Sequence, residues 1–418
     1  MRYSGSVGKH PKLSSVSEVL PLSIFAALYQ RVARYQGDII PFHIGDTHLA
    51  PPAAARLGAL GFSEHYEAEL YAYAPPAGHP QLIERVVDKI RLRNRMPVTT
   101  DGVQITCGAT HALSCAVRAL LDPGDEILLL APHWPLIRGI AQAHGVRPVQ
   151  VPFSQRLLRE PGLDPAALIT GAITPRTAAI YMCTPNNPDG MVFSPEILAT
   201  IAQVAAERDL WVLSDEVYED FVYHGEHRSI GALPGMHERT ITVFSFSKSH
   251  GMAGLRVGYA VGSRAAIAAV RKMANHSVYN VPQGLQRAAV AALESGGDFL
   301  VEAKATYRRA RDQALAAVAA PCIAPQGSTY LWLDLSAWCG APADVETGTG
   351  PGPCEPQGAD CFGLLERLAD VGVLLAPGAA FGTMYARWAR LCFTSMPAPR
   401  LAEGIERMNR VLRGGSAG

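Results

Sequence analysis

Apolar residues along the chain follow two alternating periods. In THALSCAVRALL, Ala112, Leu113, Ala116, Val117, Leu120 and Leu121 recur on one helical face, which predicts an amphipathic helix. Asp-Pro-Gly-Asp then breaks the pattern, and EILLL reads as a buried strand. AAIYM is another short apolar run, closed by the turn-rich TPNNPDG. PEILATIAQVAAERD returns to the helical period, with Pro195 suited to a first turn. WVLS, ITVF and VGYAV are further short β-rich runs. Short apolar strands between helices predict an α/β fold, a mostly parallel sheet covered on both faces. In such sheets ligands sit beyond the carboxyl ends of the strands.

The C-terminal third changes character. A long Ala- and Arg-rich helical stretch runs through Leu285 to Ala319. STYLWLDL, VGVLLA and RLCFT then read as strands, and a final helix is expected from Ala402 to Leu412. This α+β pattern predicts a smaller second domain. The expected division is a large ligand-binding domain over 50–290, with 1–49 and 291–418 forming an N-terminal arm and the small domain. Between Ser336 and Asp360 the chain is rich in Gly and Pro without an apolar period, so 336–360 reads as an extended loop. GTGPG inside it is no phosphate loop, because no strand precedes it and no helix follows.

Composition narrows the class of partner. At 418 residues and 48% hydrophobic, the chain can bury a large core. Lys+Arg and Asp+Glu both total 37, so no polybasic face advertises nucleic acid, and a small-molecule ligand is expected instead. The eight cysteines form no CxxC pair, which argues against a metal site or a disulfide framework and for a reducing cytoplasm. Lys9 and Lys12 precede the apolar run VLPLSIFAALY, but Glu18 and Pro21 interrupt it and no cleavage site follows. An amphipathic arm is the expectation, not a signal peptide, and no run is long enough for a membrane span.

Four loop segments after expected strands hold polar residues that packing does not require. CGATHAL places Gly108, Ala109 and Thr110 at a helix start, where backbone N–H groups and the helix dipole favour a phosphate. TPNNPDG offers two amides in a rigid turn. WVLSDEVYEDF puts Asp215 at a strand end, with Tyr218 three residues on. SFSKSHGMAGLR offers Ser245, Ser247, Lys248 and Arg256. Singly, each is ordinary: a helix cap, a common turn, an ion-pair member, a solvated lysine. Their joint order describes a site for pyridoxal 5'-phosphate.

The same segments carry a family resemblance. YAYAPPAGHPQL, TPNNPDG, SFSKSHGMAGLRVGY and RLCFT resemble the tyrosine, NPNNPTG, S-x-[ST]-K…R-x-G and substrate-arginine segments of the class I/II aminotransferases, fold type I of the aspartate-aminotransferase superfamily. The resemblance spans about Ser14 to the C-terminus. It implies that Lys248 forms the Schiff base with the cofactor aldehyde and moves the substrate α-proton. Asp215 would pair with the pyridine nitrogen, making the ring an electron sink. Tyr218 and Asn187 would hold the ring oxygen, and Trp134 would stack on the ring. Gly108, Ala109, Thr110, Ser245, Ser247 and Arg256 would bind the phosphate. Tyr73 would reach the phosphate of a partner subunit in a homodimer with shared sites. Arg390 would grip the substrate carboxylate as a bidentate pair, with Gly45 and Asn187 close to the substrate.

The activity so implied is transfer of the amino group of an L-amino acid to a 2-oxo acid. The motifs are shared with elimination, replacement, cyclisation or oxidation on the same cofactor, so that alternative stays open. A non-catalytic effector domain is the remote alternative; only a short arm precedes the fold here, and no DNA binding is expected. Three departures stand out. Asp189 replaces the usual threonine, a change expected to matter little. GDTHLAPP brings Thr47 and His48 toward the substrate region, although His43 and His48 read better as structural. His250, two residues past Lys248, has no assigned task.

Overall fold

The computed structural model describes residues 11–20, 26–62, 67–339 and 360–414. Most of the 336–360 loop, residues 340–359, lies outside them, as does part of the arm, 1–10 and 21–25. Seven strands form the main sheet: β1 Val103–Thr106, β2 Glu126–Ala131, β3 Arg147–Pro152, β4 Thr177–Cys183, β5 Trp211–Asp215, β6 Thr240–Ser245 and β7 Gly258–Val261. Their order is β1-β7-β6-β5-β4-β2-β3. β3, β2, β4, β5 and β6 run parallel. Residues in β2, β5 and β6 are almost all buried, as a sheet covered on both faces requires.

The exception is β7, which pairs antiparallel with both β6 and β1. Its cause is the short connection. Residues 246–257 hold only the helix Phe246–Ser249 and a 3₁₀ turn, too little for a parallel crossover. The chain therefore folds straight back at the end of β6. This places SKSHGMAGLR at the carboxyl ends of the parallel strands.

A second sheet, β8 Tyr330–Asp334, β9 Ala376–Pro377 and β10 Trp388–Cys392, is antiparallel with β10 in the centre. Its core takes in Leu331, Leu333, Leu391, Leu401, Ile405 and Met408, together with Leu28, Ile40 and Phe42 from the N-terminal segment. Tyr330 and Cys392, at one end of this sheet, belong instead to the core of the large sheet. The seam between the two sheets is thus packed.

The structure departs from the expected elements in four places. The long helix is two, Gln283–Ser295 and Gly297–Ala317, broken at Gly296. A Cβ there would lie 2.3 Å from the Ala292 carbonyl and 2.9 Å from the His250 ring, so no side chain fits. The last helix begins at Ala398, early because Pro399 suits its first turn. VGVLLA is mostly buried coil, with Val373 bridging Ile40 and only Ala376–Pro377 pairing as a strand. β3 was not anticipated, because it carries two prolines and is half-exposed, whereas β1, four residues long, is the strand expected before CGATHAL.

Gly404 in the last helix supports the segment that leads to Gly45. A Cβ at 404 would lie 2.4 Å from the ring of Phe42, which is fully buried and cannot swing away. Leucine is a better helix former than glycine by roughly 1 kcal/mol, but overpacking costs about 1–3 kcal/mol and a whole side chain must be placed here. Gly404→Leu is expected to lower the thermal midpoint by several degrees in a calorimetric scan; an unchanged or raised midpoint contradicts this packing.

Candidate active site

Strand ends build the site. Asp215 is the last residue of β5 and is buried. Its Oδ2 accepts from the Tyr181 hydroxyl at 3.0 Å, and its Oδ1 lies 3.4 Å from the Val217 N–H. Burial pushes this carboxyl up to about 6, against the pull of Tyr181, Val217 and the Lys248 charge. Lys248 sits half-buried in the short helix after β6, and its ammonium donates to the Gly45 carbonyl. A carboxylate and an ammonium thus face one region, neither held by a full ion pair.

An anion cradle lies beside them. Helix Gly108–Leu120 begins without a side-chain cap, which leaves first-turn N–H groups of Ala109 and Thr110 to find another partner. Gly108 has φ +75°, and a Cβ there would fall 2.7 Å from the Arg256 guanidinium. Arg256 itself adopts left-handed backbone, φ +52°, a conformation that costs on the order of 1–3 kcal/mol and clusters at functional sites. Its Nη1 lies 3.4 Å from the Ser247 hydroxyl. Ser245 is partly committed elsewhere: its hydroxyl caps the lysine helix by accepting from the Ser247 N–H at 3.0 Å. Free helix N–H groups, a guanidinium and a space without Cβ fit a phosphate group.

Arg390, in the centre of β10, is buried among neutral partners. Its Nη1 donates to the Asn187 side-chain oxygen at 2.9 Å and its Nη2 to the His43 carbonyl at 2.7 Å. The guanidinium lies 4.1 Å from the Tyr330 ring centre and 4.9 Å from that of Phe381, and its Nε has no hydrogen-bond partner among the described residues. A buried cation held only by neutral groups is costly until an anion arrives. Burial and the Arg390 charge push the His43 imidazole down to about 4, so it stays neutral.

The remaining expected residues fall into place unevenly. Asn187 lies 3.5 Å from the Tyr218 hydroxyl, at the limit of a hydrogen bond. Trp134, in the loop after β2, is half-buried against the cluster that holds Tyr181, Tyr218 and Tyr330. Gly45 approaches so closely that a Cβ would lie 2.1 Å from the Tyr330 hydroxyl. Tyr73 is not drawn into this cluster; it is 82% exposed, and its ring packs on Tyr279 at 5.0 Å. Asp189 proves more engaged than expected. It is buried and accepts from Ser154, Gln155, Asn186 and the Met191 N–H, so it ties the asparagine turn to the helix Ser154–Arg159.

Tyr330 and Phe381 went unrecognised in the sequence. Tyr330 donates to or accepts from Tyr218 at 2.7 Å and packs on Arg390. Only the pairing of Tyr330 with Cys392 across β8 and β10 brings it there, and STYLWLDL carries no local sign of it. The histidines find structural tasks. His48 hydrogen-bonds the Thr394 carbonyl at 3.0 Å, and His250 is buried against Phe246 with its Nδ1 2.7 Å from the Ser249 hydroxyl. Burial pushes His250 down to about 4. Glu216, Glu219 and His227 bring ligand atoms within 4.8 Å of one another, but Ser214, Ser229, Asn94 and Lys89 already bond these carboxylates. They form a buried polar network, not an open metal site.

Fold and site together define an enzyme of the aminotransferase type. The chain belongs to the aminotransferase class I and II family, whose pattern matches residues 38–408. It is 35% identical over 395 residues to the aspartate/prephenate aminotransferase of Thermus thermophilus, covering 91% of this chain and 92% of that one. It is 33% identical over 371 residues to an arginine–pyruvate transaminase of Pseudomonas aeruginosa, covering 87% and 88%. Its structure resembles that of Thermus thermophilus aspartate aminotransferase with maleate, with a TM-score of 0.83 at 30% identity, covering 96% of this chain and 100% of that one. Among the described residues no helix is long and apolar enough to cross a membrane.

The raised Asp215 value has a consequence for the cofactor-free protein. Below about pH 4 the carboxyl is protonated both folded and unfolded, and burying it carries no ionic cost. As pH rises from about 4 to about 6 the unfolded carboxyl ionises while the buried one stays protonated, and folding loses up to about 3 kcal/mol at about 1.36 kcal/mol per unit, a loss complete once the buried group also ionises. Asp215→Asn is therefore expected to raise the thermal midpoint of the cofactor-free protein near pH 8 and to leave it almost unchanged near pH 4. Equal shifts at both values would show that ionisation is not the cause.

Proposed function

We propose that the protein is a pyridoxal-phosphate-dependent aminotransferase moving the amino group of an L-amino acid to a 2-oxo acid by a ping-pong exchange. The observation that carries this reading is the buried Arg390 guanidinium, held only by neutral groups, in one site with Lys248 and Asp215. The cofactor, when bound, supplies an aldehyde for the amino group and an electron sink for the α-carbon. The helix start at Gly108 to Thr110, with Arg256 and Ser247, would hold its phosphate. Asp215 would hold its ring nitrogen in the protonated state, and a cationic partner there offsets the cost of burying the carboxylate. Tyr218 and Asn187 would hydrogen-bond the ring oxygen, and Trp134 would cover one face.

Arg390 would bind the substrate α-carboxylate in two parallel hydrogen bonds, orienting the α-carbon toward Lys248. The Lys248 amine, released from Gly45, would then carry the α-proton as base and return it as acid. The relatives named aspartate/prephenate aminotransferase and arginine–pyruvate transaminase support amino and 2-oxo acids as the substrates. A homodimer is part of this reading: Tyr73, exposed beside Tyr279, would reach a partner's phosphate. So are a large domain over 50–290 with the small domain from 1–49 and 291–418, and a cytoplasmic location, which the seven free cysteines among the described residues support.

The test is an amino acid panel offered to the cofactor-loaded protein without acceptor. Transamination leaves the amine form of the cofactor and the matching 2-oxo acid, whereas return of the aldehyde form with ammonia or a cyclised product contradicts it. Lys248→Ala is expected to lose turnover by at least about 10²–10⁴-fold, together with the cofactor that borohydride fixes to the wild-type chain. Arg390→Lys is expected to raise KM for the donor by about 10- to 100-fold, since a lysine cannot make the paired contact.

A further inference from the structure

A cavity of about 360 Å³ opens beside the candidate active site, within the range of about 300–1,000 Å³ typical of small-molecule pockets. Three of its walls are continuous with site segments. Thr110 belongs to the helix start of the anion cradle, Pro135 follows Trp134, and Ala380 precedes Phe381, which packs on the Arg390 guanidinium. Leu136, Ile140 and Ala379 line it as well. Leu20, from the N-terminal arm, closes it and comes near helix Leu136–Ala143, where a Cβ on Gly139 would lie 3.5 Å from the Leu20 side chain.

We infer that this cavity receives the side chain of the amino acid substrate and selects bulky apolar or aromatic side chains over acidic ones. The inference rests on the transamination reading above, because it takes the α-carboxylate to lie on Arg390. With that end fixed, the substrate side chain must project into free space near the site, and this cavity is lined by Thr110 of the anion cradle and by the chain neighbours of Trp134 and Phe381. Its walls are mainly methyl and methylene groups. Ser114 and His144 turn their polar atoms on each other at 3.1 Å, so neither offers a ready partner to a ligand carboxylate. Among the described lining residues Arg138 is the one permanent cation, and it stands half-exposed on the helix surface, where water screens it. An acidic side chain would leave water for this apolar surround, which is unfavourable, whereas an apolar one gains by entering it.

An apolar pocket discriminates one methylene by roughly 10- to 200-fold, so kcat/KM for phenylalanine and leucine should exceed that for aspartate and alanine by at least about tenfold. Equilibrium binding to the cofactor-loaded protein gives a second reading that needs no turnover. Hydrocinnamate, a carboxylate with an aromatic side chain and no amino group, should bind at least about tenfold tighter than succinate by calorimetric titration. Ile140→Trp, which fills the cavity, should lower the phenylalanine-to-alanine ratio of kcat/KM by about tenfold and remove the advantage of hydrocinnamate. Ile140→Ala, a milder change, should keep the preference for hydrocinnamate. If aspartate is the better donor, or succinate the tighter ligand, the subsite assignment is overturned while transamination stands. If no amino acid converts the cofactor, both readings fall.

Discussion

The architecture depends on one buried charge at the seam of two sheets. Arg390 is carried by β10, while the oxygens that hold it come from Asn187, after β4, and from His43, in the N-terminal segment. The guanidinium therefore ties three distant parts of the chain together, through neutral acceptors and two aromatic faces. Such an arrangement is poor as a stabilising device, because an uncompensated buried cation carries a desolvation cost that amides and rings offset only in part. It makes sense as a site that an anion completes. On the proposed function the substrate carboxylate would be both ligand and missing counter-charge, and its arrival would strengthen the contact between the domains.

Asp215 has the complementary defect. It is buried with neutral donors, and its ordinary acidity is suppressed until a cation comes beside it. The Lys248 charge acts on Asp215, and its ammonium is tethered to the Gly45 carbonyl, two residues from the His43 carbonyl that holds Arg390. The reversal of β7 is what permits this placement. A crossover helix after β6 would have carried Arg256 away, but the tight return brings it back over Gly108 within a few residues. Gly251, at φ +66°, lies in that return, where a Cβ would press within 3.3 Å of both the Leu49 carbonyl and the Thr47 side chain. Thr47 in turn bonds the Tyr307 hydroxyl of the small domain. The departure from the familiar motif at GDTHLAPP is therefore matched by contacts on both sides.

What was legible in the sequence was local. Strand ends followed by polar turns identified Asp215, Asn187, Lys248 and the helix start at Gly108, because in a parallel sheet each such end opens on the same edge. The central strands were legible because continuous apolar runs suit burial on both faces. Tyr330 was not, since its position depends on a register between β8 and β10 that no local period encodes. The split at Gly296 escaped for a similar reason: helical periodicity runs through it, and beside the nearby Ala292 carbonyl the exclusion of a side chain comes from His250, far away in the chain. Asp189 was underrated because a turn residue's cost depends on its neighbours. Four donors surround it, two of them from Ser154 and Gln155.

The division between legible and illegible parts follows the division of chemical labour. Groups that would meet the cofactor sit at strand ends, and the sheet's hydrogen-bond ladders hold those ends in fixed mutual positions. Groups that would meet a substrate side chain sit on helix Leu136–Ala143, on the turn before Phe381 and on the N-terminal arm at Leu20. These belong to separate elements whose relative placement is settled only by packing. A shared reaction can therefore persist over a rigid frame while side-chain preference changes through a few apolar contacts, each worth about 1–3 kcal/mol. On this argument, similarity to aspartate aminotransferases along the whole chain is evidence about the frame. The walls of the cavity beside Thr110 are the separate evidence about which amino acid the frame serves.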